Sequence, residues 1–362
     1  MIKYPIKFKA AILETTNEPL KIEEVYFEGP LDFGQVLVRI HYSGICGKQI
    51  EEIQGMSNFH GKPDPFLPHM LGHEGGGEVI DIGPGVKKVN LGDYVVLHWL
   101  KGSGINSSTP IYKRNGKRIN AGWLTTFNEY GVISENRLTS IPKKSDLELA
   151  CLLGCCVTTG VGVVLNEAKP LPEDSIAIFG CGGVGLNAIQ GAVLSYANPI
   201  IAIDKNQESL DLAKEFGATH FVSPNYDNVL NRIKEITKGE GAKFVISALG
   251  NPKAIETAIE ASSIPGDVYI VGVPPLNSKI TVNPFAIHSS RKLQGSQGGG
   301  CFPDRDIPKY LQLYDDKVLK FNELISSRVS LDNINEGIEI MKSGKIGRCI
   351  VNMDNKNKND MG

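Results

Sequence analysis

A glycine-rich turn between a strand and a helix constrains this sequence most. Residues 176–179 (IAIF) are apolar, GCGGVG follows at 180–185, and apolar residues at helical spacing come next. A second apolar run at 200–203 ends in Asp204, 19 residues after Gly185. A strand, a G-x-G-x-x-G turn, a helix and an acid after the next strand together predict a dinucleotide site on a doubly wound parallel sheet.

Each glycine of the turn has a physical role in such a site. Gly180 permits the tight turn, and Gly182 lets a pyrophosphate approach the backbone amides at the helix N-terminus. Gly185 lets the helix pack closely on the strand. The alternative is a glycine-rich turn that binds nothing, but the strand, helix and acid in register argue against it. The predicted cofactor-binding set is Gly180, Gly182, Gly183, Val184, Gly185, Asp204 and Lys205.

The acid after the second strand bears on the choice of dinucleotide. The Asp204 carboxylate can accept hydrogen bonds from both ribose hydroxyls of NAD, and it would repel the 2′-phosphate of NADP. Lys205, directly after it, weakens that exclusion. We therefore expect NAD as the cofactor, with NADP less favoured.

Two textures along the chain predict two domains of different class. Short runs with Val and Ile, separated by Gly and Pro, predict an antiparallel or barrel-like β unit at 10–14, 35–42, 76–82, 93–97 and 128–133. Later, apolar runs alternate with helical patterns, which predicts an α/β unit with a parallel sheet. Its expected strands are 175–179, 200–204, 219–222, 244–248 and 268–273, with helices at 184–196, 208–216, 229–237 and 253–261.

Composition and charge exclude several classes of function. The formal net charge is −2, so no basic field favours nucleic acid or an anionic membrane. The longest apolar stretch, 150–165, is interrupted by Gly and Thr and is too short to span a bilayer. The N-terminus carries no signal-like apolar region, so we expect a cytoplasmic protein. Seven cysteines, an odd number, favour thiols or metal ligands over a disulfide framework.

Two cysteines and a histidine are candidate metal ligands. Cys46 lies in SGICG, His73 in LGHEGGG and Cys155 in GCCVTTG. Two thiolates and one imidazole would leave the fourth tetrahedral position open, as a catalytic zinc requires. No pair has short ligand spacing, so spacing alone leaves open that these are buried thiols and a core histidine.

These segments resemble those of the zinc-containing medium-chain alcohol dehydrogenases over nearly the whole chain. The family's first ligand lies in G-[IV]-C, its second in G-H-E-x-x-G and its third in G-C-x-x-[ST]-T-G, and all three motifs are matched here. The segments IFGCGGVGL, VGVPP and NEGIEIMKSGKIGR are also similar to the family in order and spacing. The resemblance implies a GroES-like catalytic domain over 1–160, completed by 298–354, and a Rossmann domain over 161–297. The polar composition of the tail at 355–362 predicts that it is disordered.

The resemblance also implies roles for individual residues. Cys46, His73 and Cys155 would be the zinc ligands, with Glu74 as their partner near the metal, and Cys156 is less favoured as a ligand than Cys155 because the family usually has glycine there. Thr159 and Val271 would face the nicotinamide, Arg348 would reach the cofactor pyrophosphate, and Trp99 would form a wall of the substrate pocket or, alternatively, be a core residue. A homodimer or homotetramer is expected, formed through an edge strand near 271–282.

The sequence departs from the family pattern directly after the first ligand. The family has a Ser or Thr that passes on the alcohol proton and then an Asp that supports the ligand histidine, where this chain has Lys48 and Gln49. Glu51 stands where some members carry a relay histidine. Gln49 can still hydrogen-bond an imidazole. Lys48 is a candidate catalytic residue that relays the proton or contacts a hydroxyl-rich or anionic substrate, unless it points to solvent and water relays the proton.

A second departure concerns the structural zinc that many members bind with four cysteines. Residues 98–123 contain no cysteine, so we expect one zinc per chain and a polar loop held by packing and hydrogen bonds. The function expected from all these features is a zinc-dependent, NAD-linked alcohol dehydrogenase acting on a small alcohol or carbonyl substrate. The alternatives are a polyol or sugar dehydrogenase on the same scaffold and a non-catalytic nucleotide-binding paralogue.

Overall fold

The computed structural model describes residues 2–55, 66–344 and 347–354. The chain divides into two compact units, Met1–Cys155 with Phe302–Gly362, and Cys156–Cys301. The first junction falls at Cys155 and not at residue 160, because the helix that begins at Cys156 packs within the second unit. The expected tail at 355–362 lies outside the described residues.

The described residues form eighteen strands and ten α-helices. In chain order the strands are β1 (Ile6–Leu13), β2 (Lys21–Phe27), β3 (Gln35–Ile45), β4 (His69–Met70), β5 (Glu74–Ile82), β6 (Tyr94–His98), β7 (Tyr112–Arg114), β8 (Lys117–Ile119), β9 (Tyr130–Ser134), β10 (Leu138–Ile141), β11 (Ile176–Phe179), β12 (Ile200–Ile203), β13 (His220–Val222), β14 (Ala242–Ser247), β15 (Ser262–Ile270), β16 (Arg291–Gly295), β17 (Ile325–Ser330) and β18 (Arg348–Asn352). The helices are α1 (Gly47–Ile53), α2 (Leu147–Ala150), α3 (Cys156–Gly162), α4 (Gly183–Leu194), α5 (Gln207–Glu215), α6 (Val229–Ile236), α7 (Pro252–Ala261), α8 (Pro284–His288), α9 (Pro303–Asp315) and α10 (Ile334–Lys342).

Two sheets build the first unit. One has the order β4-β1-β2-β7-β8, and the other has the order β10-β6-β5-β3-β18-β17, with β9 also paired to β3. The first half of β3 is buried on both faces: Val36, Val38 and Ile40 belong to one core, and Leu37 belongs to the other. The period of two along a strand sends alternate side chains to opposite faces, which is why residues 36–38 are apolar at consecutive positions. The unit is the β-rich, GroES-like domain predicted from the sequence.

One parallel sheet of six strands forms the centre of the second unit. Its order is β13-β12-β11-β14-β15-β16, which confirms the predicted doubly wound arrangement. Asparagines cap its helices: the side chains of Asn206, Asn228 and Asn251 accept backbone N–H groups from the first turns of α5, α6 and α7. These caps therefore fix the residue at which each helix begins.

The expected edge strand near 271–282 is wrong for the described chain. Residues 271–282 form no strand, and the outer strand on that side of the sheet is β16. Pro274 and Pro275 have no backbone N–H to offer a strand ladder, which explains the irregular conformation.

No single helix among the described residues is long and apolar enough to cross a bilayer. Two helical segments that are bent against each other, Leu147–Gly154 and Cys156–Ala168, meet the length and composition criteria only when taken together.

Candidate metal and dinucleotide sites

The three predicted metal ligands converge in the first unit. Cys46 follows β3 and caps α1, His73 directly precedes β5, and Cys155 directly precedes α3. Their sulfur and imidazole nitrogen atoms all lie within 4.8 Å of one another. Tetrahedral zinc with bonds of about 2.0–2.3 Å places its ligand atoms roughly 3.5–3.8 Å apart, so the cluster has the right dimensions for zinc.

Sheet register brings these segments together. Strands β3 and β5 are antiparallel with Ser43 opposite Gly75, so the end of β3 lies beside the start of β5. The turn that carries the third ligand packs onto the same place. A Cβ on Gly154 would lie 2.8 Å from the Cα of Glu74 and 2.4 Å from the carbonyl oxygen of Leu97. Glycine at 154 therefore lets Cys155 reach the other two ligands.

A buried ion pair lies behind the ligands. Glu74 is fully buried, and its Oε1 lies 3.1 Å from Nε of Arg348, which is also buried. Nη2 of Arg348 donates a hydrogen bond to Sγ of Cys46 at 3.5 Å. A Cβ on Gly44 would lie 2.2 Å from Oε1 of Glu74, which explains the glycine two residues before the first ligand. The guanidinium thus lies against the metal cluster, while its contact with a cofactor pyrophosphate stays a prediction.

Burial and mutual contacts shift the pKa values of all three ligand residues. A hydrogen bond with Cys155, with the charges of Arg348 and His73, holds the pKa of the Cys46 thiol well below its usual range despite burial. The same hydrogen bond and burial raise the pKa of Cys155. Burial opposes a charged His73, but the nearby Cys46 thiolate outweighs it and raises the pKa of the imidazole. Nε2 of His73 is buried without a hydrogen-bond partner among the described residues, so the donor set fits a metal that takes this nitrogen and both sulfurs.

The glycine turn of the second unit has the predicted geometry. It joins β11 to α4, and Gly180 adopts φ +90°, a conformation that favours glycine. A Cβ on Gly185 would lie 1.8 Å from the carbonyl oxygen of Gly180, whereas a Cβ on Gly182 would meet nothing within 4 Å. Gly182 is exposed at the start of α4, with Gly183 buried and Val184 half-buried behind it, so the helix N-terminus is open to an anion.

Asp204 lies directly after β12 and is tied to this turn. Its Oδ2 accepts the backbone N–H of Cys181 at 2.8 Å, and its Oδ1 accepts that of Asn206 at 2.9 Å. Lys205 is exposed. In the same unit, Oγ1 of Thr159 is buried without a hydrogen-bond partner in the described part of the chain, and Val271 is half-buried just beyond β15. The proposed contacts of these residues with a nicotinamide stay predictions.

Comparisons with known proteins identify the family of the chain. The model of the alcohol dehydrogenase GroES-like domain matches residues 32–143, and that of the zinc-binding dehydrogenase matches residues 183–316. An S-(hydroxymethyl)glutathione dehydrogenase from Paracoccus denitrificans is 31% identical, and the alignment covers 96% of this chain and 100% of that relative. The chain belongs to the zinc-containing medium-chain dehydrogenase family. It is therefore a zinc-dependent enzyme of the alcohol dehydrogenase type.

Solved structures of family members share the fold over nearly the full length. An alcohol dehydrogenase zinc-binding domain protein from Burkholderia ambifaria aligns with a TM-score of 0.88 at 28% identity, covering 96% of this chain and 99% of that one. A benzyl alcohol dehydrogenase from Acinetobacter calcoaceticus aligns with a TM-score of 0.86 at 27% identity, with the same coverage.

Helix α1 carries the residues that depart from the family pattern. Nζ of Lys48 lies 3.5 Å from Oε2 of Glu51, and both side chains are 31% exposed. Gln49 is buried: its Oε1 accepts the backbone N–H of Cys46 at 3.0 Å, and its Nε2 contacts Nδ1 of His73. Lys48 is thus a half-buried, paired lysine and not a fully solvated one.

Glu52 is a residue that sequence reasoning missed. It is half-buried on α1, and burial raises its pKa, while the nearby His73, Lys48 and His69 act in the opposite direction. The sequence does contain a signal for Glu52. It lies three residues after Gln49 and therefore on the same face of the helix, which predicts that it lies near His73 as Gln49 does. The metal cluster therefore has an acidic neighbour that the family motifs do not mark.

The loop that lacks the family's four cysteines is held by carboxylates. Glu135 accepts backbone N–H groups from Lys87, Lys88 and Ile105 at 2.6–2.7 Å. Trp99 is half-buried one residue beyond β6, and the pairing of Glu74 with His98 places it beside the strand end that carries His73. Its predicted role as a pocket wall is untested.

Proposed function

We propose that this enzyme transfers a hydride reversibly between an alcohol and NAD, giving an aldehyde or a ketone. The observation that carries the proposal is the convergence of Cys46, His73 and Cys155 within 4.8 Å. The glycine turn with Asp204 supports a dinucleotide as hydride carrier, and the carboxylate favours NAD over NADP. An alcohol or an alcohol adduct is supported by the names of the relatives.

The chain's residues prepare the site for this chemistry. When bound, zinc supplies a Lewis acid that favours loss of the alcohol proton, and NAD supplies the hydride acceptor. Cys46, His73 and Cys155 provide three ligand atoms and leave a fourth position for substrate. Arg348 places a positive charge beside the Cys46 sulfur, while Glu74 balances that charge from the buried side.

Lys48 is the proposed residue for proton relay or for contact with a hydroxyl-rich or anionic substrate. Its partial burial and its pairing with Glu51 support a role at the site. Lys48→Ala should lower kcat if the lysine relays protons, and should raise KM for polar alcohols if it binds them. Lys342→Ala is the control, because Lys342 also forms an i,i+3 pair, in reverse order, with Glu339 on α10. Unchanged kcat and KM in Lys48→Ala would contradict both roles of Lys48 and would indicate that water relays the alcohol proton.

A polyol or sugar dehydrogenase is the second candidate function. It is favoured by three charged residues on α1, namely Lys48, Glu51 and Glu52, which lie close to the cluster and suit a hydroxylated substrate. The third alternative from the sequence, a non-catalytic nucleotide-binding protein motivated by Lys48 and Gln49, is set aside because the chain belongs to an enzyme family. The intact set of three zinc ligands argues against it.

One experiment separates these functions. The purified chain is assayed for bound zinc and for NADH or NADPH absorbance with short alcohols, benzyl alcohol, polyols and S-(hydroxymethyl)glutathione. We expect one zinc per chain and turnover with NAD. Turnover confined to polyols would select the second candidate, and zinc without turnover on any of these substrates would contradict both.

We also propose a homodimer or homotetramer, located in the cytoplasm. Exposed apolar side chains in the second unit, such as Val273, Leu276 and Phe285, are available for an interface between copies. Light scattering of the purified chain tests the oligomer, and a monomer at micromolar concentration would contradict it.

A further inference from the structure

Gln49 is a side chain of α1 that contacts two metal-ligand residues. It is 1% exposed. Its Oε1 accepts the backbone N–H of Cys46 at 3.0 Å, and its Nε2 lies against Nδ1 of His73. A single primary amide therefore faces both a backbone donor and an imidazole nitrogen.

Metal binding changes the number of hydrogen-bond donors that face the Gln49 amide. Nδ1 of His73 faces Gln49, and Nε2 is the buried nitrogen without a hydrogen-bond partner among the described residues. A neutral imidazole that binds a metal through Nε2 carries its proton on Nδ1. In the loaded site, Nδ1–H and the Cys46 N–H are two donors that face one side chain.

An amide in this position cannot satisfy both donors. Its oxygen faces the Cys46 N–H and its NH₂ group faces Nδ1 of His73, and turning the amide over only exchanges the two, so one N–H group meets another donor in either orientation. A buried donor without an acceptor lowers the stability of the state that contains it. A carboxylate of the same length has two acceptor oxygens and would satisfy both donors at once.

We propose that Gln49 is a positioning residue that holds the zinc affinity of this site below the level its three ligands would otherwise reach. It acts on the metal only through His73 and the Cys46 backbone. The inference rests on the proposed zinc site, because it assigns Nε2 of His73 to the metal. It predicts that a carboxylate at position 49 binds zinc more tightly than the native amide.

The test measures zinc dissociation constants of the full chain by competition with a chromophoric chelator. Gln49→Glu should bind zinc at least about tenfold more tightly than the wild type, since it gains one buried hydrogen bond. Gln49→Met keeps the length without any acceptor and should weaken binding by about 10–100-fold. Gln54→Glu adds the same charge at the exposed end of α1 and should change nothing.

Several outcomes would overturn the inference. Gln49→Glu that binds zinc no more tightly than the wild type would do so, and so would equal tightening by Gln54→Glu, which would make the effect one of charge alone. If Gln49→Met does not fold, the zinc dissociation constants of Gln49→Glu and Gln54→Glu still test the inference. The visible bands of the Co²⁺-loaded protein should stay the same in Gln49→Glu, because the ligands are unchanged. A wild-type chain that binds no zinc would overturn the proposed function as well, which separates the two failures.

Discussion

The metal cluster of the first unit draws its groups from four separate segments of chain, whereas the glycine turn of the second unit is one continuous stretch. In the cluster, Cys46, His73, Cys155 and Arg348 are side chains that converge from distant positions. In the turn, the binding groups are backbone amides between β11 and α4, and the side chains are mostly absent.

This difference decides which substitutions matter. A side-chain site fails when one donor or one balancing charge is removed, because the remaining charges stay buried. A backbone site fails when an added atom displaces the turn. The two regions should therefore respond to opposite kinds of substitution, namely deletion of a functional group in the first and addition of a methyl group in the second.

The largest expected effect is loss of a ligand. Cys155→Ser should abolish stoichiometric zinc binding and lower the hydride-transfer rate by at least about 10³-fold, because several kcal/mol of charge stabilisation come from the metal. Zinc content and NADH formation measure it. Cys151→Ser is the matched control: Sγ of Cys151 donates to the carbonyl of Glu148 at 3.1 Å, a bond that serine can keep. Full zinc and full rate in Cys155→Ser would show that the convergent cluster is not the site.

The next effect concerns the buried pair behind the ligands. Arg348→Met removes the guanidinium from the fully buried Glu74 carboxylate and should lower the free energy of unfolding by about 3–5 kcal/mol. The double variant with Glu74→Gln should recover part of that loss, since it removes both charges. Urea unfolding measures both. Arg232→Met, which breaks an exposed pair with Glu235 on α6, should leave unfolding unchanged. Strict additivity of the two single variants would contradict a coupled pair.

Predictability from the sequence follows the same division. The strand, turn and helix of the dinucleotide site are local, so the spacing of Gly180, Gly182, Gly185 and Asp204 predicted their geometry from the residues alone. The three zinc ligands have no local spacing, and only the resemblance to a family joined them. Their convergence depends on the register of β3 with β5 and on the approach of Gly154, which no short window of sequence contains.

Some contacts could be predicted neither from local spacing nor from the resemblance to a family. The pairing of Arg348 with Glu74 links residues 274 positions apart on β18 and β5, two strands that flank β3 in one sheet, and a motif for either residue does not specify the other. The expected edge strand near 271–282 was wrong, because two adjacent prolines outweigh the apolar pattern there. Glu52 was missed because burial depends on which helix face meets the sheet, and a seven-residue helix gives little periodicity to read.

A smaller effect tests the backbone site directly. Gly185→Ala places a methyl group 1.8 Å from the carbonyl oxygen of Gly180, so the turn must shift, and the unfolding free energy should fall by about 1–3 kcal/mol. Gly182→Ala meets no protein atom within 4 Å and should leave stability unchanged, yet raise the KM for NAD about tenfold by obstructing the pyrophosphate. Thermal unfolding measures the loss of stability expected for Gly185→Ala, and cofactor kinetics measure the higher KM expected for Gly182→Ala. Equal loss of stability in both variants would contradict an open helix N-terminus at Gly182.

The smallest effect concerns the Asp204 side chain, which is tied to the glycine turn. Asp204→Asn keeps an acceptor oxygen toward the Cys181 or Asn206 backbone but removes the charge that would repel a 2′-phosphate. Near the surface such a charge contributes on the order of 1 kcal/mol, so the ratio of kcat/KM for NADP to that for NAD should rise about tenfold or less. Lys205→Ala is the companion variant and should lower that ratio, because its exposed ammonium favours a phosphate. Asp204→Asn could instead change the NADP-to-NAD ratio of kcat/KM as strongly as Cys155→Ser changes the hydride-transfer rate. The second unit would then depend on side-chain charge, as the metal cluster of the first unit does. That result would contradict the contrast between the two sites.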